Sequence, residues 1–176
     1  MSNTNYETGK ITMVKDPETT GKWLGVTSED NWEQCIKYGL WGADDNRLSQ
    51  LRKVRSGDLL VVYLKKMKMA GICKITGEYF YDKTKVWQDG VYPHRISIIK
   101  HKVPNHPVDI RKLYNDSIKP KLLAKGDNRG TPGGYFGQAI RPLPGDEFSI
   151  YESEIDKQID GQEEFRVFLQ LAMKGT

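Results

Sequence analysis

The chain has 176 residues, of which 38% are hydrophobic and 28% charged, proportions that suit one soluble globular domain. No apolar run approaches the roughly 20 residues that cross a bilayer, and the N-terminus lacks the basic and apolar regions of a signal peptide. Cys35 and Cys73 stand apart from each other and from the histidines, which favours buried thiols over a disulfide or a zinc site. We therefore expect a cytoplasmic protein that contacts no membrane and needs no metal or cofactor.

The net charge is only +4, but the charges are unevenly distributed. Residues 47–125 carry 18 Lys and Arg against 6 Asp and Glu, whereas residues 1–46 carry 4 against 8 and residues 142–176 carry 3 against 8. A basic middle between acidic ends suits a surface that faces nucleic-acid phosphates. A solvated surface with locally paired charges would give the same counts.

The stretch from Lys22 to Ala43 is predicted to form a strand, a capped helix and an exit segment. Trp23–Val26 is a short apolar run, and Ser28 is a residue type that caps helices. The helix is expected over residues 29–38, and Gly39 is a natural residue to end it. Its buried stripe, at i, i+3 and i+4, consists of Trp32, Cys35 and Ile36.

Alternation, helical spacing and turn residues predict the remaining elements. Strands are expected at 59–65, 69–80, 92–103 and 135–140, and helices at 44–55, 108–114, 117–124, 145–158 and 162–173. The sum is an α+β fold, with a strongly curved mixed sheet or open barrel flanked by helices. We divide the chain into an N-terminal arm (1–20), one domain (21–158) and a C-terminal helical extension (159–176).

Three large aromatic residues are predicted to lie outside the core. Trp41 follows the end of the first helix, Trp87 lies in a polar loop, and Tyr92 follows five residues later. Rings in such places suit a pocket for a nucleobase, because every base presents a π-face. The same residue types also serve as core side chains, and that alternative stays open. The sequence holds no catalytic, zinc or phosphate-loop motif, so no reaction is predicted.

Five sequence blocks carry a resemblance to a known family. They span about residues 22–156 and read KWLGVTSEDNWEQCIKYGLWGA, LRKVRSGDLLVVYL, AGICKITGEYF, VYPHRISI and YFGQAIRPLPGDEF. Together they resemble the EVE domain family of the PUA-like superfamily, a relative of the YTH domains. The resemblance implies a small curved sheet or pseudo-barrel flanked by helices. It also implies non-catalytic binding of a modified base, such as methylated cytosine or adenine, in DNA or RNA.

The resemblance also implies roles for particular residues. In YTH domains a cage of tryptophans surrounds the methyl group, and its counterparts here are Trp41, Trp87 and Tyr92. Polar residues near the end of the first strand read the edge of the base, and their counterparts are Thr27, Ser28 and Asn31. Basic side chains of the middle region are expected to hold phosphates: Arg47, Arg52, Lys53, Lys85 and Arg95. Arg129, in the Gly-rich loop that follows, is expected to close over the strand. Any downstream effect is expected to need a separate effector protein.

Two other functions stay open at this point. An enzyme acting on nucleic acid or a nucleotide would use the same pocket, with His94 or Asp89 as its acid–base group. A protein-interaction module would use the loop aromatics as anchors for a partner. The base-binding hypothesis predicts that Trp41→Ala abolishes binding of a methylated oligonucleotide and leaves the thermal stability nearly unchanged.

Overall fold

A computed structural model describes residues 20–127 and 131–174 of the chain. Its strands are β1 (Lys22–Thr27), β2 (Leu40–Ala43), β3 (Leu59–Leu64), β4 (Lys68–Ile75), β5 (Phe80–Tyr81), β6 (His94–Lys102), β7 (Val108–Asp109) and β8 (Ile140–Pro142). Its α-helices are α1 (Glu29–Tyr38), α2 (Leu48–Leu51), α3 (Arg111–Leu113), α4 (Lys119–Ala124), α5 (Pro132–Tyr135) and α6 (Gly145–Lys174). Arg129 and the predicted N-terminal arm up to residue 19 lie outside the described residues.

The strands form a mixed sheet in the order β2–β6–β4–β3–β1–β8, with β5 added to β6 and β7 added to β4. Strands β1 and β3 run parallel, whereas the other pairs are antiparallel. The register shifts between Val62 and Tyr63 and again between Ile72 and Cys73. Such bulges bend the strand that carries them, and the sheet curls into a half-barrel flanked by helices. The predicted fold class is confirmed.

Strand β3 divides the core into two halves. Successive side chains of a strand point to opposite faces of the sheet. Leu60 and Val62 accordingly pack in one cluster with Trp41, whereas Val61 packs in a second cluster with Tyr151 of α6. A strand that is buried on both faces has an uninterrupted apolar sequence, which explains why LLVVYL is the clearest strand signal in the chain.

Helix α1 begins and ends where the sequence predicts. The Oγ atom of Ser28 accepts the N–H of Asn31 at 3.2 Å and so caps the first turn. Gly39 follows the last turn with a left-handed φ of 65° and donates its N–H to the carbonyl of Cys35. The chain then enters β2, which pairs with β6 so that Trp41 lies opposite Ile96.

Helix α6 is one continuous helix of 30 residues, where the sequence predicted two helices at 145–158 and 162–173. Gly161 lies inside it and does not interrupt it. A glycine in a helix interior costs about 0.5–1 kcal/mol relative to alanine, which the good helix formers around it offset. The proposed boundary at residue 158 therefore falls within a helix. Over the described ranges, no helix is both long and apolar enough to cross a membrane.

Two local predictions after residue 107 are wrong. Residues 111–124 are helical throughout, with a π-helical turn at 114–118, where two separate helices were expected. The strand expected at 135–140 begins only at Ile140, because residues 132–135 form helix α5. The side chain of Thr131 accepts the N–H of Gly134 at 3.3 Å, and Pro132 occupies the first turn. Thr131 and Pro132 are both residue types that begin helices, but the apolar residues that follow them, in 135–140, favoured the prediction of a strand.

Candidate functional site

A cavity of about 200 Å³ lies among the β1–α1 junction, strand β2 and the loop formed by residues 82–93. All six residues predicted to contact a base lie in its wall: Thr27, Ser28, Asn31, Trp41, Trp87 and Tyr92. Eight further residues complete the wall: Val26, Cys35, Gly42, Ala43, Asp44, Lys65, Asp89 and Ala139. The fold thus brings the two distant segments of the predicted site to one place.

Trp41 is both a core residue and a wall of the cavity. It lies in β2 and is only 2% exposed. A methyl group added at Gly25 would lie 2.7 Å from ring atom Cζ2, so the ring fits only against a glycine. Contrary to the expectation from sequence, Trp41→Ala is therefore expected to lower the thermal stability, because truncation would leave a void in the core. The indole Nε1 is a buried donor that has no partner within the described part of the chain.

Trp87 and Tyr92 meet at a corner. Trp87 is 2% exposed, and its ring centroid lies 5.6 Å from that of Tyr92 with the two planes 79° apart. This edge-to-face geometry is a favourable one for aromatic pairs. Tyr92 also has a left-handed φ of 46°, which is unusual for a residue with a Cβ atom. The two rings therefore pack against each other where both line the cavity.

Arg95 is not a phosphate ligand. Its side chain is fully buried, and the guanidinium lies 5.2 Å from the centroid of the Trp87 ring. The same group donates to the carbonyl oxygens of Tyr92 at 3.1 Å, of Val91 at 3.0 Å and of Thr84. Its Nη1 atom also forms an ion pair with Oδ2 of Asp82, in the same loop, at 3.5 Å. Because these partners occupy the guanidinium, Arg95 holds loop 82–93 in place behind Trp87.

The polar rim of the cavity is rich in hydrogen-bond acceptors. The Nδ2 atom of Asn31 donates to both carboxylate oxygens of Asp89 at 3.1 Å, which leaves the Asn31 Oδ1 atom as an acceptor. Asp44 adds a second carboxylate to the wall. Burial raises the pKa of the Tyr92 hydroxyl, and its hydrogen bond to Asp89 raises that pKa further. The Tyr92 hydroxyl therefore stays a neutral group at physiological pH.

The predicted phosphate ligands are distributed unevenly around the cavity. Lys85 is exposed two residues before Trp87, and Arg47 is partly exposed three residues after Asp44. Lys65, which the sequence analysis passed over, lies in the cavity wall itself. Its position directly after β3, the clearest strand signal in the chain, is the sequence feature that could have identified it as a candidate.

The other predicted phosphate ligands have less direct placements. Arg52 and Lys53 are exposed after helix α2, with the Arg52 guanidinium 5.7 Å from the ring centroid of Tyr79. Arg129 lies outside the described residues. These three residues stay predictions, and Arg52 and Lys53 do not belong to the cavity wall described above.

His94 lies outside the cavity wall and is 5% exposed. Its Nε2 atom lies 2.6 Å from Oδ1 of Asp45, and its Nδ1 atom lies 2.9 Å from the hydroxyl of Tyr79. The Asp45 contact therefore joins β6 to the segment after β2, and the Tyr79 contact joins β6 to the segment before β5. In the described ranges, no group of three His, Cys, Asp or Glu side chains is placed to hold a metal ion.

The cysteines are free, buried thiols, as predicted. Burial raises the pKa of Cys35 to about 12 and that of Cys73 to about 12. Cys35 faces the cavity and accepts the N–H of Trp87. A thiol with this pKa is neutral at physiological pH and offers no nucleophile to a bound molecule.

The chain is similar in sequence and in fold to several known proteins. A UPF0310 protein of Pyrococcus abyssi is 26% identical over 144 residues, covering 74% of this chain and 96% of the relative. The YTH domain of the Zygosaccharomyces rouxii MRB1 protein, solved in complex with N6-methyladenosine RNA, superposes with a TM-score of 0.56 at 13% identity, over 81% of this chain and 88% of that one. Human THYN1, solved in complex with DNA containing 5-methylcytosine, superposes with a TM-score of 0.52 at 18% identity, over 77% of this chain and 98% of that one.

The family assignment follows from the sequence match, because structural likeness at such low identity shows only the fold. The EVE domain model matches residues 21–131, which include both segments of the cavity wall from Val26 to Asp44 and from Trp87 to Tyr92. That match covers more than half of the chain. The chain therefore belongs to the EVE domain family.

Proposed function

We propose that this protein binds nucleic acid by receiving one extruded, methylated base in the cavity, without catalysing a reaction on it. The observation that carries the proposal is the convergence of Trp41, Trp87 and Tyr92 with Thr27, Ser28 and Asn31 on one cavity. The complexes of the Z. rouxii YTH domain with N6-methyladenosine RNA and of THYN1 with 5-methylcytosine DNA support it, since both share the fold.

The size of the cavity favours a single base. Its volume of about 200 Å³ lies below the roughly 300–1,000 Å³ of typical small-molecule pockets. A base alone is a ligand of this size, whereas the sugar and phosphates would stay outside. The base must then leave its stack and rotate into the pocket, as in other proteins that read or modify single bases.

The aromatic residues supply contact area for the base. Stacking of a base on an aromatic ring contributes on the order of 1–3 kcal/mol. Tyr92, which is partly exposed, presents its ring at the mouth, and Trp41 and Trp87 form deeper walls. A methyl group on the base adds apolar area that these rings enclose, and this contact distinguishes a modified base from an unmodified one.

The acceptor-rich rim favours a base with an exocyclic amino group. Cytosine and adenine carry such a donor on their Watson–Crick edge, whereas uracil and thymine present a ring N3–H between two carbonyl oxygens there. The Asp89 carboxylate and the Oδ1 atom of Asn31 accept hydrogen bonds. Amino-bearing bases are therefore favoured at this edge, because their exocyclic N–H groups meet acceptors where uracil and thymine place a carbonyl oxygen.

Lys65, Lys85 and Arg47 are proposed to hold the phosphates that flank the extruded base. All three lie in the basic region of the chain, either in the cavity wall or within three residues of it. Contacts of this kind carry no sequence information and weaken as salt rises. Selectivity would then reside in the cavity, and the lysines and arginines would supply affinity.

The test is a binding panel at low salt. Identical DNA and RNA oligonucleotides carry one central cytosine, 5-methylcytosine, 5-hydroxymethylcytosine, adenine, N6-methyladenine or thymine (uracil in RNA), and fluorescence anisotropy measures each dissociation constant. We expect one methylated base to bind at least about tenfold more tightly than its unmodified parent, a difference of about 1.4 kcal/mol. Equal affinity for all members would refute the base-reading role, and no affinity for any would refute nucleic-acid binding.

A further inference from the structure

The C-terminal part of helix α6 extends beyond the rest of the domain. The buried side chains of α6 end at Ile155, and Ile159 is its last residue that packs against the core. Twelve further residues, 163–174, continue the helix for roughly 18 Å at 1.5 Å per residue. Six large apolar side chains on this segment are between 44% and 79% exposed: Phe165, Val167, Phe168, Leu169, Leu171 and Met173.

This segment has the surface of an interface. From Phe165 to its end, the polar side chains are Arg166, Gln170 and Lys174, which follow one line at i, i+4 and i+8. A water-exposed helix of about 12 residues is marginal without packing on its apolar side. Contiguous exposed apolar area of this kind marks a site that another surface covers.

We propose that residues 163–174 pair antiparallel with the same segment of a second copy of this chain. A two-fold axis between Phe168 and Leu169 would place Glu163 level with the partner's Lys174, so that opposite charges meet at both ends. The same register sets Phe165 level with the partner's Ala172, a large residue against a small one. Parallel pairing would instead bring Glu163 and Glu164 against their own copies, which repels.

A groove at the base of the segment fits this register. It measures about 530 Å³ and lies between α6 and residues 103–106, with Val103, Pro104, Ile159, Phe165 and Leu169 among its lining. In the antiparallel pair, the partner's Ala172 and the partner's Met173 are level with Phe165 and Glu164. The end of the partner helix therefore reaches the groove and covers its apolar lining.

The charge of this part of the chain favours a protein partner over a lipid surface. Residues 142–176 carry 8 acidic and 3 basic side chains. Helices that lie on membranes are rich in Lys and Arg and are attracted to anionic lipids. Segment 163–174 itself carries two acidic and two basic side chains, so it has no net attraction to such a surface, whereas the antiparallel pair matches each acidic end with a basic one.

The oligomeric state of the full chain tests the pairing. Light scattering during gel filtration, with loads from about 1 to 100 µM that span weak to moderate affinity, is expected to show twice the monomer mass at the higher loads. Leu169→Glu is expected to leave a monomer at every load with an unchanged far-UV circular dichroism spectrum. Leu123→Glu is the matched control, because Leu123 is also exposed (62%) but lies on α4, and it should behave as the wild type.

Cysteine cross-linking tests the direction. The native thiols are buried, so a new exposed cysteine is the reactive one. Leu169→Cys lies next to the two-fold axis and is expected to form an intermolecular disulfide under mild oxidation. Ala172→Cys is expected to form little disulfide, because the two copies of residue 172 would lie about 10 Å apart along the helix axis. Equal disulfide yield at both positions would overturn the antiparallel register.

Two other results would overturn the proposal itself. One is a wild-type protein that stays monomeric over the whole concentration range. The other is a monomer that co-sediments with phosphatidylcholine–phosphatidylglycerol vesicles and loses this binding in Leu169→Glu, which would identify a lipid surface as the occupant. None of these measurements requires an oligonucleotide, so their outcome is independent of the base-binding proposal.

Discussion

The indole N–H of Trp87 donates to Sγ of Cys35 at 3.4 Å and thereby joins two segments that are 52 residues apart. Cys35 belongs to helix α1, and Trp87 belongs to loop 82–93, so the contact couples the two sides of the cavity. Arg95 supports the same indole from β6 and holds the loop by three carbonyl oxygens. The cavity is therefore a preorganised part of the fold, and a change behind its wall should alter binding.

Gly42→Ala is expected to distort the wall of the cavity. A methyl group at Gly42 would lie 2.5 Å from the Trp87 ring and 2.9 Å from Cβ of Tyr92, so both side chains must move. We expect oligonucleotide affinity to fall at least about tenfold and the free energy of unfolding to fall by about 1–3 kcal/mol, the usual cost of overpacking. Anisotropy titration and urea denaturation measure the two effects.

Gly161→Ala is the matched control for Gly42→Ala. A methyl group there meets nothing within 4 Å, and the residue lies inside helix α6. Its affinity should equal that of the wild type, and its stability should be equal or higher by about 0.5–1 kcal/mol. If Gly42→Ala binds as tightly as this control, the Trp87–Tyr92 corner does not contact the base.

Trp41→Ala is expected to destabilise the protein more than Trp32→Ala. The local pattern predicts Trp32 in the core and Trp41 outside it, but Trp41 is 2% exposed whereas Trp32 is only partly buried. Truncating a buried tryptophan typically costs about 3–5 kcal/mol. Urea denaturation of both variants should therefore rank Trp41→Ala as the less stable, and the reverse order would contradict the core role of Trp41.

The position of Trp41 shows what local sequence patterns reveal and what they leave out. Gly39, which ends helix α1, and Ser28, which caps its start, are local signals. From them Trp41 was correctly predicted to lie close to Ser28 and Asn31. Its burial depends on the pairing of β2 with β6, and strand β6 begins some fifty residues later in the chain. No local pattern predicts which distant strand will cover a side chain.

Arg95 illustrates the same limit for charged residues. Its neighbours in sequence suggest a basic surface, and an arginine in a basic region is normally exposed. Its burial follows from the path of loop 82–93, whose carbonyl oxygens turn toward the guanidinium. Backbone acceptors are present at every residue and leave no mark on the sequence. The general basic character of the region was therefore predictable, and the role of this arginine was not.

Arg95→Met is expected to lower the free energy of unfolding by about 3–5 kcal/mol, as happens when one partner of a buried charged network is removed. The loop carbonyls would lose their donors, and the carboxylate of Asp82 would lose its ion pair. Arg52→Met is the control, because Arg52 is exposed and surface changes usually stay within about 0.5 kcal/mol. Chemical denaturation of both variants checks the ranking, and equal stability would argue that Arg95 is free to contact phosphate.

Asp82→Asn is expected to reduce stability in a pH-dependent way. The backbone N–H of Thr84 donates to Asp82 at 2.7 Å and, with Arg95, holds the pKa of this carboxyl below its ordinary value of 3.8. A group whose pKa falls on folding stabilises the native state above its unfolded pKa and loses that effect as the pH falls through its folded pKa.

The expected signature is therefore a difference in midpoint temperature between wild type and Asp82→Asn that is constant near neutrality and shrinks below about pH 4. Asp160→Asn, on the exposed surface of α6, controls for the loss of one negative charge. A difference that persists unchanged down to pH 3 would show that the Asp82 charge does not hold the loop.

Lys65→Ala is expected to weaken binding of modified and unmodified oligonucleotides by the same factor. Lys65 is the lysine in the described cavity wall, where a phosphate next to an extruded base would pass. Loss of one phosphate contact should reduce the slope of log affinity against log salt by about 0.7–0.9. Lys74→Ala, an exposed lysine on β4 that lies outside the cavity wall, should leave both slope and affinity unchanged. A selective loss for the modified oligonucleotide alone would instead make Lys65 a reader of the base.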